Sequence, residues 1–450
     1  MTLGFLLPWA PPLWTFQVPP REYGEALEEL ARAEKSMDVD GFISAFRTVL
    51  KGDDASSLKT AVAAYSRLAP VAFKKLSTRE FMAFHGSAAG AFGSIKSKGA
   101  LEEFRKLLVK AKDWHARLLI LDASLFLKGG EALESCLTAL RDDSPVVVRR
   151  ALQHLARTKK PSVVEAIIER YVEISAKKLK GAAAAQWERT GLVFQSTLHQ
   201  MLKVDLSCPE DYKNYFAARR DSPYLFEPKG APANANTRVT LFGAAITGKN
   251  IAFVLDISGS MLSTDPWPPG EVDPDQGKTA VVDPSKPVEP PKPRLDRQRM
   301  YRAKKELTNV IQALPSDVRF NIITFASEVK SWKPAMVVAT SANKKSAEEY
   351  VEAMKAEGIT FTDEGLETAF TDLATDTIYL LTDGAPTHIG TTKPGKPDDS
   401  DMLIRQILKR VEELNFLRGV RIFTLGFQGA EENFLKKLSA NNAGAYVRIK

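Results

Sequence analysis

Ile251 to Leu255 is an unbroken apolar, β-prone run that stops abruptly at Asp256, Ser258 and Ser260. A short continuous run of this kind reads as a strand buried on both faces, as in a parallel sheet with helices on either side. Its carboxyl end gathers one carboxylate and two hydroxyls at alternating positions, and Gly259 lets the backbone turn sharply among them. Ligand crevices of open α/β sheets lie outside that end of the strands. One stretch thus constrains both the fold around it and the place where chemistry is expected.

From about residue 238 to the end, strand and helix patterns alternate. RAKKELTNVIQAL, SANKKSAEEYVEAM, TDEGLETAFTDL, SDMLIRQILKRVEELNFL and ENFLKKLSANN read as helices. Between them VRFNIITFA, Val329 to Trp332, DTIYLLTD, RIFTLGF and AYVRI read as strands, and RVTLFGAAITGKN as a hairpin or edge strand before Ile251. Such alternation predicts a doubly wound, mostly parallel α/β sheet covered by helices on both faces.

Residues 21 to 221 have a different pattern. Segments such as REYGEALEELARAEKSM, GFISAFRTVLKG and SSLKTAVAAYSRLA have helical periodicity and are separated by short Gly, Asp or Pro breaks. Ala100-Leu101-Glu102 recurs as Ala132-Leu133-Glu134 and, more weakly, as Val163-Val164-Glu165, while Arg117 and Arg149 repeat at the same interval. A repeat of helix pairs with a period near 32 residues predicts an α-solenoid, in which each pair buries its face on its neighbours. DSPVVVRRALQHLA resembles the second helix of HEAT-type repeats, and that resemblance covers about residues 97 to 180. A plain helical bundle is the alternative. The expected organisation is therefore an apolar arm or degenerate signal at 1–20, a helical HEAT-like domain at 21–221, a linker at 222–237 and an α/β domain at 238–450.

Composition removes several classes of function. No apolar run approaches the roughly eighteen residues of a membrane-spanning helix. Cys136 and Cys208 are too few for a disulfide framework and form no CxxC pair. The excess of seven positive charges, 62 Lys+Arg against 55 Asp+Glu, is spread without a dense basic tract and does not argue for nucleic acid. His85, His115, His154 and His199 stand singly in helical patterns and are expected at polar or capping positions.

Three segments of the α/β region place oxygens at strand ends or helix starts: Asp256-Ile-Ser258-Gly-Ser260, Gly358-Ile-Thr360-Phe-Thr362-Asp363 and Leu381-Thr382-Asp383-Gly384. Hydroxyls and carboxylates without His or thiolate suit a hard cation, Mg²⁺ or Mn²⁺, rather than zinc. The plainer alternative is that these side chains only cap helices and turns.

Together the three segments resemble the metal-ion-dependent adhesion site of von Willebrand factor type A domains, over about residues 238 to 450. Asp256, Ser258 and Ser260 match the family's Asp-x-Ser-x-Ser, Thr360 its metal-binding threonine, and Asp383 its strand-ending Thr-Asp-Gly. The resemblance implies that Ser258, Ser260 and Thr360 coordinate the cation through neutral hydroxyls. Asp256 and Asp383 would hold bound waters or contact the ion less directly. It further implies that the electrophilic ion accepts an Asp or Glu carboxylate from a partner protein. Family members usually carry a further helix after the last strand, and here Lys450 follows AYVRI directly, so no relay through such a helix is expected.

A second departure is the stretch 263–293, with nine prolines, between the metal loop and the next helix. It reads as an extended, solvated loop with polyproline character. A sharper expectation is that Asp265, Glu271, Asp273 or Asp275 reaches the open metal position and competes with the partner. His388, beyond Asp383, is a further residue expected near the ligand face.

The functional expectation is a metal-dependent protein-interaction module on a helical scaffold, with a second protein able to use the helical-repeat surface. The layout is similar to bacterial proteins that join helical repeats to a type A domain. Two alternatives remain open: a divalent-metal-dependent hydrolase, and an accessory subunit of an ATP-driven assembly whose motor is supplied in trans. No GxxxxGK[ST] loop or GxSxG elbow supports a nucleotide motor or a serine hydrolase here. An extracytoplasmic or cell-envelope location is slightly favoured over a cytoplasmic one.

Overall fold

A computed structural model describes residues 18–127, 131–177, 180–204, 206, 208–227, 239–267, 295–387 and 400–450. The chain forms two compact units, Met1–Ala151 and Leu152–Lys450. Residues 1–17 of the expected arm, 228–237 of the expected linker and 268–293 of the proline-rich stretch lie outside the described residues, as do Glu271, Asp273, Asp275 and His388.

The first unit is helical throughout its described residues, with no strand among them. Its helices start where short polar side chains can take up orphan backbone donors. Asp38 and Asp54 cap Val39–Leu50 and Ala55–Lys75, and Ser77 forms a reciprocal capping box with Glu80 at Thr78–Ala91. Helix Ala55–Lys75 runs through Pro70, where the sequence suggests a break, because Leu68, Ala69 and Ala72 on its inner face are fully buried. Apolar packing of that face outweighs the one backbone donor that proline lacks.

Two polar networks lie among the helices of this unit. Tyr65 Oη meets His85 Nδ1 at 2.7 Å, His85 Nε2 lies 3.1 Å from Asp122 Oδ2, and Arg150 Nε donates to Asp122 Oδ1 at 2.8 Å. Arg117, which is buried, donates to Asp142 Oδ2 at 2.7 Å and to the Ala111 and Lys112 carbonyls at 2.8 and 3.0 Å. It thereby joins the turn before its own helix, Trp114–Ala123, to the turn between Glu131–Ala139 and Pro145–Leu155.

The second unit contains helices Pro161–Ser175, Gly181–Leu202 and Pro209–Arg219 together with the α/β fold. The compact units thus divide at Ala151/Leu152 and not at the stretch 222–237. Arg189 donates to the Ala374 carbonyl at 3.1 Å, Arg421 to Ser196 Oγ at 3.3 Å, and Arg157 to Asn441 Oδ1 at 2.9 Å, so helix Gly181–Leu202 and the turn at Arg157 are held to the sheet domain.

The strands are β1 (Thr240–Leu241), β2 (Ala244–Ala245), β3 (Asn250–Asp256), β4 (Arg319–Phe325), β5 (Val329–Ser331), β6 (Val337–Val338), β7 (Thr377–Thr382), β8 (Arg421–Gly426) and β9 (Tyr446–Arg448). β1 and β2 form a separate antiparallel hairpin. The main sheet runs β5-β4-β3-β7-β8-β9, with β6 also pairing β4. The pairs β3–β4, β3–β7, β7–β8 and β8–β9 are parallel, and only β5 and β6 are antiparallel to β4. The doubly wound, mostly parallel sheet expected from the alternating pattern is therefore present.

Side chains of β3 alternate between two cores, as the two-residue period of a strand requires. Ile251, Phe253 and Leu255 pack with Met300, Ala303 and Leu307 of helix Arg299–Ala313 and Val351 of Ser341–Ala353. Ala252 and Val254 pack with Leu366 and Phe370 of Thr362–Thr371 and Ile407 of Ser400–Asn415. Burial on both sides places β3 in the middle of the sheet and its carboxyl end at the centre of one edge. No helix among the described residues is long and apolar enough to cross a membrane.

Candidate metal centre

The backbone gathers three loops at the carboxyl edge of β3 and β7. Ile257 N–H donates to the Phe325 carbonyl at 2.9 Å, Gly259 N–H to the Gly358 carbonyl at 3.0 Å, and Glu357 N–H to the Ile257 carbonyl at 2.8 Å. Thr360 N–H donates to Thr387 Oγ1 at 2.9 Å, and Thr387 N–H returns a bond to the Thr360 carbonyl at 3.0 Å. The loop carrying Thr360 is thus stitched to the loop after β3 on one side and the loop after β7 on the other. Gly358 makes this path possible: its φ is +82°, and a Cβ there would lie 2.5 Å from Ser327 Oγ.

All five side chains singled out in the sequence lie on these loops or the strand ends that carry them. Asp256 is fully buried, and both of its oxygens are engaged: Ser258 N–H donates to Oδ1 at 2.8 Å and Thr382 Oγ1 to Oδ2 at 2.6 Å. Ser258 Oγ and Ser260 Oγ are 3.0 Å apart, and Ser260 Oγ donates to Asp383 Oδ1 at 2.7 Å. Thr360 Oγ1 and Ser260 Oγ both face Gly384, where an added Cβ would lie 3.8 and 3.9 Å from them. Thr360 Oγ1 has no hydrogen-bond partner among the described residues. Of the five, only Ser260 is exposed.

Three hydroxyls and two carboxylates thus lie at this edge of the sheet, with both Asp256 oxygens already engaged. Among the described residues no group of three or more His, Cys, Asp or Glu side chains is placed to hold a metal. That chemistry suits a hard divalent cation of the Mg²⁺ class. Burial pushes the Asp256 carboxyl up to about 6; hydrogen bonds from Ser258 and Thr382 pull it down, and the nearby Asp383 charge raises it.

The positive charge at the site belongs to a residue that the sequence did not single out. Arg299, the first residue of helix Arg299–Ala313, donates from Nη1 to Asp383 Oδ2 at 2.7 Å and from Nε to Asp265 Oδ1 at 2.7 Å. Arg302 donates from Nη1 to Asp265 Oδ2 at 2.8 Å. Asp265 therefore does not reach toward the metal position as expected; its buried carboxylate is held by two arginines, with Arg299 between it and Asp383. Ion pairing in a partly dry setting decides this, because a buried carboxylate needs a partner. Thr382 and Thr387 were also not assigned roles. Thr382 was visible in the Thr-Asp-Gly segment, whereas Arg299 is separated from the metal loop by the proline-rich stretch and carries no spacing signal.

A family model for the von Willebrand factor type A domain matches residues 279–450. The chain contains a type A domain. The matched interval begins after Asp256, Ser258 and Ser260, yet β3, which carries them, is the central strand of the same sheet. Curated relatives that align with the chain include inter-alpha-trypsin inhibitor heavy chain H1 of Mesocricetus auratus, 28% identical over 45% of this chain and 18% of that protein. Heavy chain H3 of Homo sapiens is 24% identical over 50% of this chain and 20% of its own length. The chain thus spans about a fifth of the length of these relatives. Among solved structures, a von Willebrand factor type A protein from Catenulispora acidiphila aligns with 18% identity and a TM-score of 0.31, covering 46% of this chain and 40% of that one.

Proposed function

We propose that the type A domain binds Mg²⁺ or Mn²⁺ through the hydroxyls of Ser258, Ser260 and Thr360 and uses the bound ion to capture an Asp or Glu side chain of a partner protein. The observation that carries this reading is the convergence of Ser260 Oγ and Thr360 Oγ1 on the same small space over Gly384, with Asp383 Oδ1 behind Ser260. Asp256 serves as a buried anchor: its carboxylate accepts from the Ser258 backbone and the Thr382 hydroxyl, fixing the first loop. When bound, the cation supplies an electrophilic centre for a carboxylate oxygen. Neutral hydroxyl donors leave most of its charge unspent.

The helical first unit would then act as a scaffold with a surface of its own. A HEAT-like reading of this region is supported by Arg117, whose bonds to Asp142 and to the Ala111 and Lys112 carbonyls tie consecutive helix pairs at their turns. A protein built this way bridges two partners, one through the cation and one through the helical surface.

Calorimetric titration of the full chain with Mn²⁺ tests the metal reading. Wild-type protein is expected to bind one ion, and Thr360→Ala to lose that binding while melting normally in EDTA. Wild-type affinity in Thr360→Ala would refute the assignment. Pull-down from the organism's extract in Mg²⁺ against EDTA then tests the partner reading, for which the bound protein should elute with chelator.

A further inference from the structure

The described residues flanking 268–294 form a stem that touches the candidate cation site. Thr264 and Gln298 form an antiparallel bridge, Asp265 N–H donates to the Arg297 carbonyl at 3.0 Å, and Arg299 N–H donates to the Ser263 carbonyl at 3.1 Å. Gln298 Nε2 adds a bond to the Leu262 carbonyl at 3.3 Å, and the Arg297 guanidinium lies 5.3 Å from the centre of the Trp267 ring. Residues 263–267 and 295–299 are thus zipped side by side at the base of the stretch.

Arg299 closes this stem onto the cation site. Its two ion pairs, to Asp265 and Asp383, are both well buried, with side chains 13%, 3% and 0% exposed respectively, so solvent screens them little. Asp383 has one oxygen on Ser260 and the other on Arg299, which leaves its charge partly neutralised by a fixed cation. Asp265 in turn divides the charge of Arg299 and is itself held by Arg302.

We propose that Arg299 is a positioning residue for the cation site, and that through the Asp265–Arg299–Asp383 relay the stem of the proline-rich stretch sets the affinity of the site for its cation. The relay rests on the metal reading above and adds to it a sign. A resident guanidinium beside Asp383 opposes entry of a divalent ion. Asp265, paired with the same guanidinium, offsets part of its charge, so an intact stem favours the loaded site. Whatever displaces Asp265 from Arg299 leaves the arginine's charge unopposed beside Asp383 and weakens binding of the ion.

The test is a double-mutant cycle on the full chain, read by calorimetric titration with Mn²⁺ alone and by thermal melts in EDTA. Arg299→Gln is expected to tighten Mn²⁺ binding by about tenfold, since it removes one like charge from a partly dry site. Asp265→Asn should weaken it by about threefold to fivefold on the same argument, and this effect should vanish in Asp265→Asn/Arg299→Gln. Arg299→Lys, which keeps the charge but not the fork to both carboxylates, should not reproduce the tightening expected for Arg299→Gln. A role confined to holding Asp383 in shape predicts the opposite sign, so Arg299→Gln binding no tighter than wild type overturns the relay. An Asp265→Asn effect that persists undiminished without Arg299 overturns it as well. Should Arg299→Gln fail to melt cooperatively, Asp265→Asn alone decides, and unchanged affinity there counts against the relay. Wild-type protein that takes up no Mn²⁺ would instead sink the metal reading and the relay with it, whereas wild-type binding with an unresponsive Arg299 sinks the relay only.

Discussion

The two ends of the parallel sheet both bury aspartates, and they treat them differently. At the amino edge, Asp376 precedes β7 and accepts from the backbone of Lys249 and Asn250 at 3.1 and 2.8 Å, from Asn250 Nδ2 at 3.1 Å and from Thr377 Oγ1 at 2.8 Å. Its donors come mostly from the chain entering β3, and Arg421 Nη2 donates to Thr377 Oγ1 at 2.9 Å beside it. At the carboxyl edge, Asp256 and Asp383 accept mainly from hydroxyls and from Arg299. A carboxylate that accepts from two backbone N–H groups is a structural fastener, because those donors cannot leave without unfolding the strand. One met by hydroxyls retains ligands that can turn toward an ion. The same residue type at opposite ends of adjacent strands thus serves stability in one place and, on the reading proposed here, binding in the other.

Four experiments would break or sharpen this contrast. Asp376→Ala should cost the most in stability, about 3 kcal/mol in a urea titration, because it leaves two backbone donors and a side-chain amide without their acceptor. Mn²⁺ affinity should be unmoved by it; a loss of metal binding would show that the two ends are not independent. Thr360→Ala should do the reverse, lowering Mn²⁺ affinity by about a hundredfold or more with an unchanged urea midpoint, since removal of a direct donor costs at least as much as removal of its support. Thr382→Val keeps the shape of the side chain and removes the hydroxyl behind Asp256, so affinity should fall by about tenfold. An unaffected Thr382→Val protein would mean that Asp256 needs no support from β7.

The smallest effect concerns pH. Asp256 is raised in the folded protein to about 6, against an ordinary aspartate value of about 3.9. An acid with a raised folded value binds its proton more tightly when folded, so its favourable contribution is complete below about pH 4 and is lost as pH rises through 6. Metal-free protein should therefore gain about 1 kcal/mol on going from pH 7 to pH 5 through this group. Asp256→Asn should flatten that dependence; an equal slope in the mutant would assign it elsewhere.

Much of the second unit was legible without coordinates. The apolar run at Ile251 and the alternation after it have only one economical packing, a parallel sheet with helices on both faces, and the oxygens of Asp256, Ser258, Ser260, Thr360 and Asp383 fall at one edge of it. Other features were not legible. The helices from 161 to 219 share the periodicity of those before them, and nothing local in Arg189 or Arg421 says that these side chains join helix Gly181–Leu202 to the sheet domain. Asp265 carries an acid in a proline-rich context, which suggests a mobile ligand, and only its pairing with Arg299 and Arg302 gives it a fixed place.

The sequence by itself determined the α/β fold of the second unit and the cluster of oxygen-bearing side chains at its edge, because burial periodicity and short oxygen-bearing motifs are local properties of the chain. Tertiary structure alone decided which charges face one another. Arg299 stands 84 residues from Asp383 and 34 from Asp265, and it reaches both only because the stem closes and the helix it begins packs against β3. Electrostatic partnership depends on distance in space, which no spacing in the chain records.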